Sequence, residues 1–256
     1  MKNAVVGAQL YSARDYCKDI KGVRETFRRV KEIGYQAVQV SGFGPVDPAE
    51  VADAAKEHGL TVGATHLGWQ QFKDDLDSVI ALHKQWNCIH TAIGGLPTEY
   101  FCREGVERFI EEATPIAKLL AAVVMDFSYH NHHHELVRYG DQTWLGALYQ
   151  LAPASVIKAE IDTHWIQAGG ADPAAWIQMC AGRAPVIHLK DMIITEARQL
   201  HFAPVGSGNL NWQAILAAMD AAGTEFAFVE QDDCYGEDVF TCLESSYRFL
   251  SDKGYR

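Results

Sequence analysis

The chain has 256 residues, of which 48% are apolar and 21% charged, a soluble globular composition with enough apolar residues for a large core. Its formal net charge of −11 repels phosphate backbones over a screening length of ~8–10 Å, which argues against broad nucleic-acid binding. Met1-Lys2-Asn3 leads into only a short apolar run, interrupted by Gln9, Ser12, Arg14 and Asp15. With no signal peptide and no stretch of about 18 apolar residues, a cytoplasmic protein without membrane contact is expected.

Short β-rich runs then alternate with amphipathic stretches. A strand over 5–10 precedes a helix over about 19–33, where Val23, Phe27, Val30 and Ile33 share one face and Gly34 ends it. A strand over 37–40 precedes a helix opened by Asp47-Pro48, an N-cap with proline at the first helical position. Next come a strand over 61–66 ending at His66, a helix over 72–86 and a strand over 88–93. The helix over 102–120 contains Pro115, which should kink or split it. The apolar run 123–127 then delivers Tyr129-His130-Asn131-His132-His133-His134-Glu135. Further units are a helix over 141–151, a strand over 156–161, a helix from Asp172-Pro173 and a strand over 185–189. After a longer loop come a helix over 211–222, a strand over 226–230 and a closing helix over 237–250.

Eight strands joined by helical crossovers must run parallel, and they predict a (β/α)8 barrel, taken as one domain over 1–256. A doubly wound open sheet would use the same strands. No glycine-rich dinucleotide turn follows the first strand to favour it.

In such a barrel the active site lies at the C-terminal ends of the strands. The fifth strand ends in His130 to Glu135, the sixth in Glu160-Ile161-Asp162-Thr163-His164, the seventh in His188-Leu189-Lys190-Asp191 and the eighth in Glu230-Gln231-Asp232-Asp233. Four successive strands thus bring Glu135, Asp162, His188 and Glu230 to one mouth. Three carboxylates there need a cation between them, and the imidazole suits a transition metal.

The sequence resembles the xylose isomerase-like TIM barrels grouped as sugar phosphate isomerases/epimerases, with inosose dehydratase-like and ketose 3-epimerase-like relatives. The residues that carry this are Gly7-Ala8-Gln9-Leu10-Tyr11, the segment from Tyr129 to Glu135, Ile161-Asp162-Thr163-His164-Trp165 and Ala168-Gly169-Gly170-Ala171-Asp172-Pro173. Val186-Ile187-His188-Leu189-Lys190-Asp191, Pro204-Val205-Gly206-Ser207-Gly208 and Val229-Glu230-Gln231-Asp232 complete them. The resemblance implies a metal site of Glu135, Asp162, His188 and Glu230, holding Mn2+ first, with Mg2+, Co2+ or Zn2+ as alternatives. In the epimerase-like members the first glutamate sits at the strand tip, nearer His130. Either the chain curls so that Glu135 points back, or His130 or His132 takes its place.

The implied chemistry is sugar or ketose isomerisation or epimerisation, by proton removal next to a carbonyl through a metal-stabilised enediolate. Glu135 and Glu230 are the acid and base candidates, with His132 and His164 as alternates. The nearest rival is a metal-dependent lyase or dehydratase on a keto-sugar, keto-glycoside or inosose. Endonuclease-like phosphodiester cleavage and a non-catalytic sugar-binding subunit are the other readings. His66, His130, Lys190 and Trp165 are the expected substrate contacts.

Lys190 could instead pair with Asp191, and Gly206-Ser207-Gly208 could hold an anion or form a plain turn. Trp69, Trp165 and Phe202 could stack on a sugar or serve as packing. His133 and His134 should face solvent. The six cysteines form no C-x-x-C pair and read as free thiols, Cys234 lying close to a carboxylate cluster. The partner implied is a small sugar, and family members often form dimers or tetramers.

Overall fold

The computed structural model describes residues 4–256; Met1-Lys2-Asn3, included in the reading of the chain's start, lies outside them. Strands β1 (Val5–Gln9), β2 (Ala37–Val40), β3 (Thr61–Leu67), β4 (His90–Ile93), β5 (Asp126–His130), β6 (Lys158–Asp162), β7 (Val186–Leu189) and β8 (Phe226–Val229) close into a parallel barrel. Their order around it is sequential, with β1 pairing both β2 and β8. This is the (β/α)8 barrel that the alternating pattern predicts.

Side chains two apart share a face of a strand. On β8 that rule puts Phe226, Phe228 and Glu230 in one column, and the two rings stack 5.8 Å apart at the barrel floor. Gly7 on β1 and Gly63 on β3 make room for them, since a side chain at Gly7 would strike Phe228 and one at Gly63 would strike Phe226. The same rule aligns Val186, His188 and Lys190 on β7, and Glu160 with Asp162 on β6. Ala37, Ala64, Val186 and Phe228 pack the lower part of the barrel, with buried His90 against Phe226 and paired with Asp126, and a larger group of titratable side chains fills the upper half.

The outer layer starts with α1 (Ile20–Ile33) and α2 (Pro48–His58), capped by the side chains of Asp19 and Asp47. The helix predicted over 72–86 is two helices, α3 (Trp69–Asp74) and α4 (Leu76–Trp86). Asp75 breaks the run by accepting from the Ser78 N–H as an N-cap. Helix α5 (Gly105–Ala122) runs through Pro115 without splitting. Pro115 lies on the exposed face, so the carbonyl it leaves unpaired meets water, while the Thr114 hydroxyl donates to the Ile110 carbonyl. The helix predicted over 141–151 begins later. A short hairpin of Arg138–Tyr139 and Gln142–Thr143 precedes α6 (Trp144–Leu151), whose N-cap is Thr143.

The turn α7 (Thr163–Ala168), unseen in the pattern, precedes α8 (Pro173–Met179). The long loop after β7 is also a hairpin, Asp191–Ile194 paired with Leu200–Ala203. Helices α9 (Trp212–Ala222) and α10 (Val239–Asp252) complete the ring. Among the described residues no helix is long and apolar enough to cross a membrane, and the six cysteines are free.

Outside the barrel wall, Tyr129, Phe109, Phe127, Trp69 and Trp144 form one aromatic layer. Trp69 is therefore packing. His83 on α4 is fully buried against β3, with Nε2 2.7 Å from Thr65 Oγ1 and Nδ1 2.8 Å from the Val79 carbonyl. Burial lowers its pKa from the ordinary 6.5, outweighing the bond to Val79. The unfolded chain then binds this proton more readily than the native one. The stability His83 contributes is complete above pH ~6.5 and is lost as pH falls below it. Urea unfolding at pH 7.5 and 5.0 is expected to show a smaller acid loss in His83→Gln than in the wild type; parallel losses would refute this.

Candidate metal centre and active-site pocket

Four strand ends converge on one buried cluster. His130 (β5), Asp162 (β6), His188 (β7) and Glu230 (just past β8) each offer a ligand atom, and all four atoms lie within 4.8 Å of one another. His188 Nδ1 is 2.8 Å from Glu230 Oε2 and 3.9 Å from Asp162 Oδ2. Asp162 is fixed from two sides: its Oδ1 accepts from the Trp165 N–H as the N-cap of α7, and its backbone N–H donates to Asn131 Oδ1. Its Oδ2 is buried without a hydrogen bond. A carboxylate oxygen left so among imidazoles and other carboxylates fits a cation ligand, and the mixed nitrogen–oxygen set suits a first-row divalent metal.

Lys190 threads into the same cluster. Its Nζ lies 3.4 Å from Asp162 Oδ2, 3.1 Å from Glu230 Oε2 and 2.9 Å from Asp232 Oδ1, beside the rings of Trp165 and Phe202. Burial works against the ammonium, but these three carboxylates outweigh it and hold the pKa above the ordinary lysine value. Burial likewise pulls His188 down, yet Glu160 and Glu230 overcome it and push the imidazole up to about 10. Glu230 is held well below the usual carboxylate range because Lys190 and His188 outweigh its burial. Asp162 is raised, burial prevailing over Lys190, and Asp232 is pushed up to about 7 by burial and by Glu230.

Sequence reasoning did not single out two groups beneath this cluster. Glu160, 1% exposed, meets His66 Nε2, His188 Nε2 at 3.0 Å and His130 Nδ1 at 3.6 Å. The Gln39 amide donates to both its oxygens, and Gln39 Oε1 lies 2.6 Å from His188 Nε2. The signal was present: Glu160 stands two residues before Asp162, hence on the same strand face.

The remaining expected residues divide. His66, His130, His132, Trp165, Lys190 and Glu230 line a cavity of about 590 Å³ above the cluster, together with Asp232, which was not singled out from the sequence, and with Tyr11, Ser41 and Leu67. Glu135 does not join them. It is fully buried in the turn beyond β5, accepting from the Tyr129 hydroxyl at 2.8 Å and from the His132 N–H at 2.8 Å. The chain does not curl back far enough to bring it to Asp162, and His130, in an inward position on β5, stands in that place. His164 is buried against Phe202 and Trp165 and is not among the cavity's lining residues. Burial and then Lys190 pull His132 down to about 3 and His164 to about 4, so both are neutral imidazoles at pH 7. His133 and His134 are exposed.

Asp191 turns away from Lys190. Its carboxylate accepts from the N–H groups of Gly206 (3.0 Å), Gly208 (3.0 Å) and Leu210 (3.3 Å) and from Trp212 Nε1 (2.6 Å). The Gly-Ser-Gly loop is thus an anion nest, and the chain's own carboxylate fills it. Phe202 packs on His164 and Trp165 at the cavity's edge. Burial pushes the Cys234 thiol up to about 12, which removes it as a nucleophile at neutral pH.

A family model described as xylose isomerase-like TIM barrel matches residues 27–238. No curated protein matches the sequence. Among solved structures, a sugar phosphate isomerase/epimerase from Parabacteroides distasonis ATCC 8503 superposes with a TM-score of 0.80 at 21% identity, covering 97% of this chain and 98% of that one. A D-allulose 3-epimerase from Methylomonas sp. gives 0.73 at 14%, covering 99% of each chain. A probable 3-DHS dehydratase involved in petrobactin synthesis from Bacillus anthracis gives 0.68 at 13%, covering 96% and 98%. At these identities the likeness is one of fold.

Proposed function

The chain belongs to the xylose isomerase-like TIM-barrel family, and from that premise we propose that it is a divalent-metal-dependent isomerase or epimerase of a sugar or ketose. The observation that carries the reading is the buried donor set of His130, Asp162, His188 and Glu230 at the floor of a solvent-open cavity. When bound there, a divalent cation supplies positive charge to neighbouring sugar oxygens and so stabilises the enediolate formed on loss of a proton.

The chain's own groups do the rest. Glu230, an ionised carboxylate lining the cavity, takes the proton from the carbon next to the carbonyl. His132, on the β5 side of the cavity and three strands around the barrel, is neutral with Nδ1 unpartnered, and exchanges a proton with the substrate from the other side. Lys190 donates to a substrate oxygen, and the Trp165 ring covers an apolar sugar face. Glu135 holds the loop that carries His132 rather than touching substrate. His164, beneath Phe202, shapes that wall. Mn2+ is the cation we favour, because the donors mix oxygen and nitrogen.

One observation favours a second reading. Asp232 lines the cavity with its pKa near 7. Such a carboxyl can protonate a departing hydroxyl, which would make the same site a dehydratase or lyase on a keto-sugar. Incubation of the Mn2+-loaded protein with a panel of ketoses in deuterated buffer separates the two. Deuterium at the carbon next to the carbonyl without loss of water is expected. An unsaturated ketone would replace that reading with elimination, and neither product on a broad panel would refute both.

A further inference from the structure

We propose that the barrel holds a second cation position directly beneath the first, built from His66, His130, Glu160 and His188. It rests on the metal-binding part of the function proposed above and adds to it a nitrogen-rich site in the barrel's depth. The four candidate ligand atoms lie within 4.8 Å of one another. Glu160 Oε1 is 3.0 Å from His188 Nε2 and 3.6 Å from His130 Nδ1, and is in direct contact with His66 Nε2. A tetrahedral ion with bonds of ~2.0–2.1 Å sets its donors roughly 3.3–3.4 Å apart; the His188 and His130 separations from Glu160 lie on either side of that value, and His66, in hydrogen-bond contact with Glu160, would draw back to admit the ion.

His130 supplies an independent pointer to a ligand. It is 3% exposed, and its Nδ1, the nitrogen turned toward Glu160, is buried with no hydrogen-bond partner. Within a network otherwise this well satisfied, an unpaired imidazole nitrogen aimed at a carboxylate is a vacant donor.

His188 divides its two nitrogens between the levels. Nδ1 faces Glu230 and Asp162 above, and Nε2 faces Glu160 below. Nε2 also meets Gln39 Oε1 at 2.6 Å; to join two ions the ring would give up that contact and release both N–H protons to solvent, bridging as an imidazolate. Gln39, whose amide donates to Glu160 at 3.1 and 3.3 Å, orients the lower carboxylate as outer partners of metal ligands do. His66 and His130 also line the open cavity, which gives an ion a way in. Three imidazoles and one carboxylate favour Zn2+ or Co2+, whereas the upper set, with two carboxylates, also accepts Mn2+.

Chelator-stripped protein loaded with Co2+, dialysed and analysed for metal is expected to hold two equivalents per chain. Glu160→Gln and His66→Asn are each expected to hold one and to lose a visible absorption band of tetrahedral Co2+. Asp162→Asn should lose the other equivalent and keep that band. His66 lies at the cavity wall, so His66→Asn decides the matter should Glu160→Gln fail to fold, as circular dichroism would show. One equivalent in the wild type overturns this inference and leaves the upper site standing, whereas none overturns both. Two equivalents retained by both Glu160→Gln and His66→Asn also overturn it.

Discussion

Asp162→Asn is expected to lose at least 10³-fold in kcat/KM on whichever ketose the wild type turns over, with the loss accompanied by release of Mn2+. The reason lies in the two oxygens of Asp162. Oδ1 caps α7 through the Trp165 N–H at 2.9 Å, and an asparagine carbonyl can take over that bond. Oδ2 has no hydrogen bond and faces His188 and Lys190. An amide nitrogen in its place turns an acceptor into a donor and removes one negative charge. Loss of about 4 kcal/mol of transition-state stabilisation corresponds to that factor in rate. The fold should survive, with the thermal midpoint within a few degrees of wild type. A variant that kept its metal and lay within tenfold of wild-type activity would remove Asp162 from the centre.

Lys190→Met is expected to have the largest effect on stability. Lys190 is 1% exposed and is the ammonium shared by Asp162, Glu230 and Asp232. Deleting one partner of a buried ion cluster costs roughly 3–5 kcal/mol, because the remaining charges stay desolvated and unpaired. A divalent cation can replace part of the missing charge. At a concentration 100 times its Kd, it should restore up to about 2.7 kcal/mol. Urea unfolding in chelator and again in Mn2+ measures both quantities. A difference from wild type below 1 kcal/mol in chelator would show that the ammonium does not hold the cluster together.

The barrel was legible because its strands and helices differ in period, and because Asp-Pro and helix-ending glycine mark several boundaries. Departures from the sequence reading arose where a local side chain overrides the periodic pattern. Asp75 caps in mid-run and divides one expected helix, while Pro115 on a solvent face lets another continue. The hairpin after β7 carries a strand pattern too short to stand out. It is fixed by Asp191 filling the Gly206–Gly208 nest, a contact across 15 to 17 residues.

At the site, Asp162, His188 and Glu230 could be named because each lies at or just beyond a strand end. Glu135 and His130 could not be separated, since a turn whose shape depends on Tyr129 and the His132 N–H decides which one faces inward. Glu160 and Gln39 were hidden for a different reason. They sit one layer below the strand tips, and attention to the tips alone passes over a polar floor that strand alternation would have shown.

The stacked rings of Phe226 and Phe228 make the barrel a blind well. An ion bound for Glu160 would enter from the other end, through the cavity lined by Tyr11, Leu67 and Trp165. A sugar seated at the mouth would cork the well. Under the function proposed above, loading would be ordered: cation before sugar, with departure in reverse. Affinity for that cation would then be felt as a history of occupancy, slow to change while substrate is plentiful.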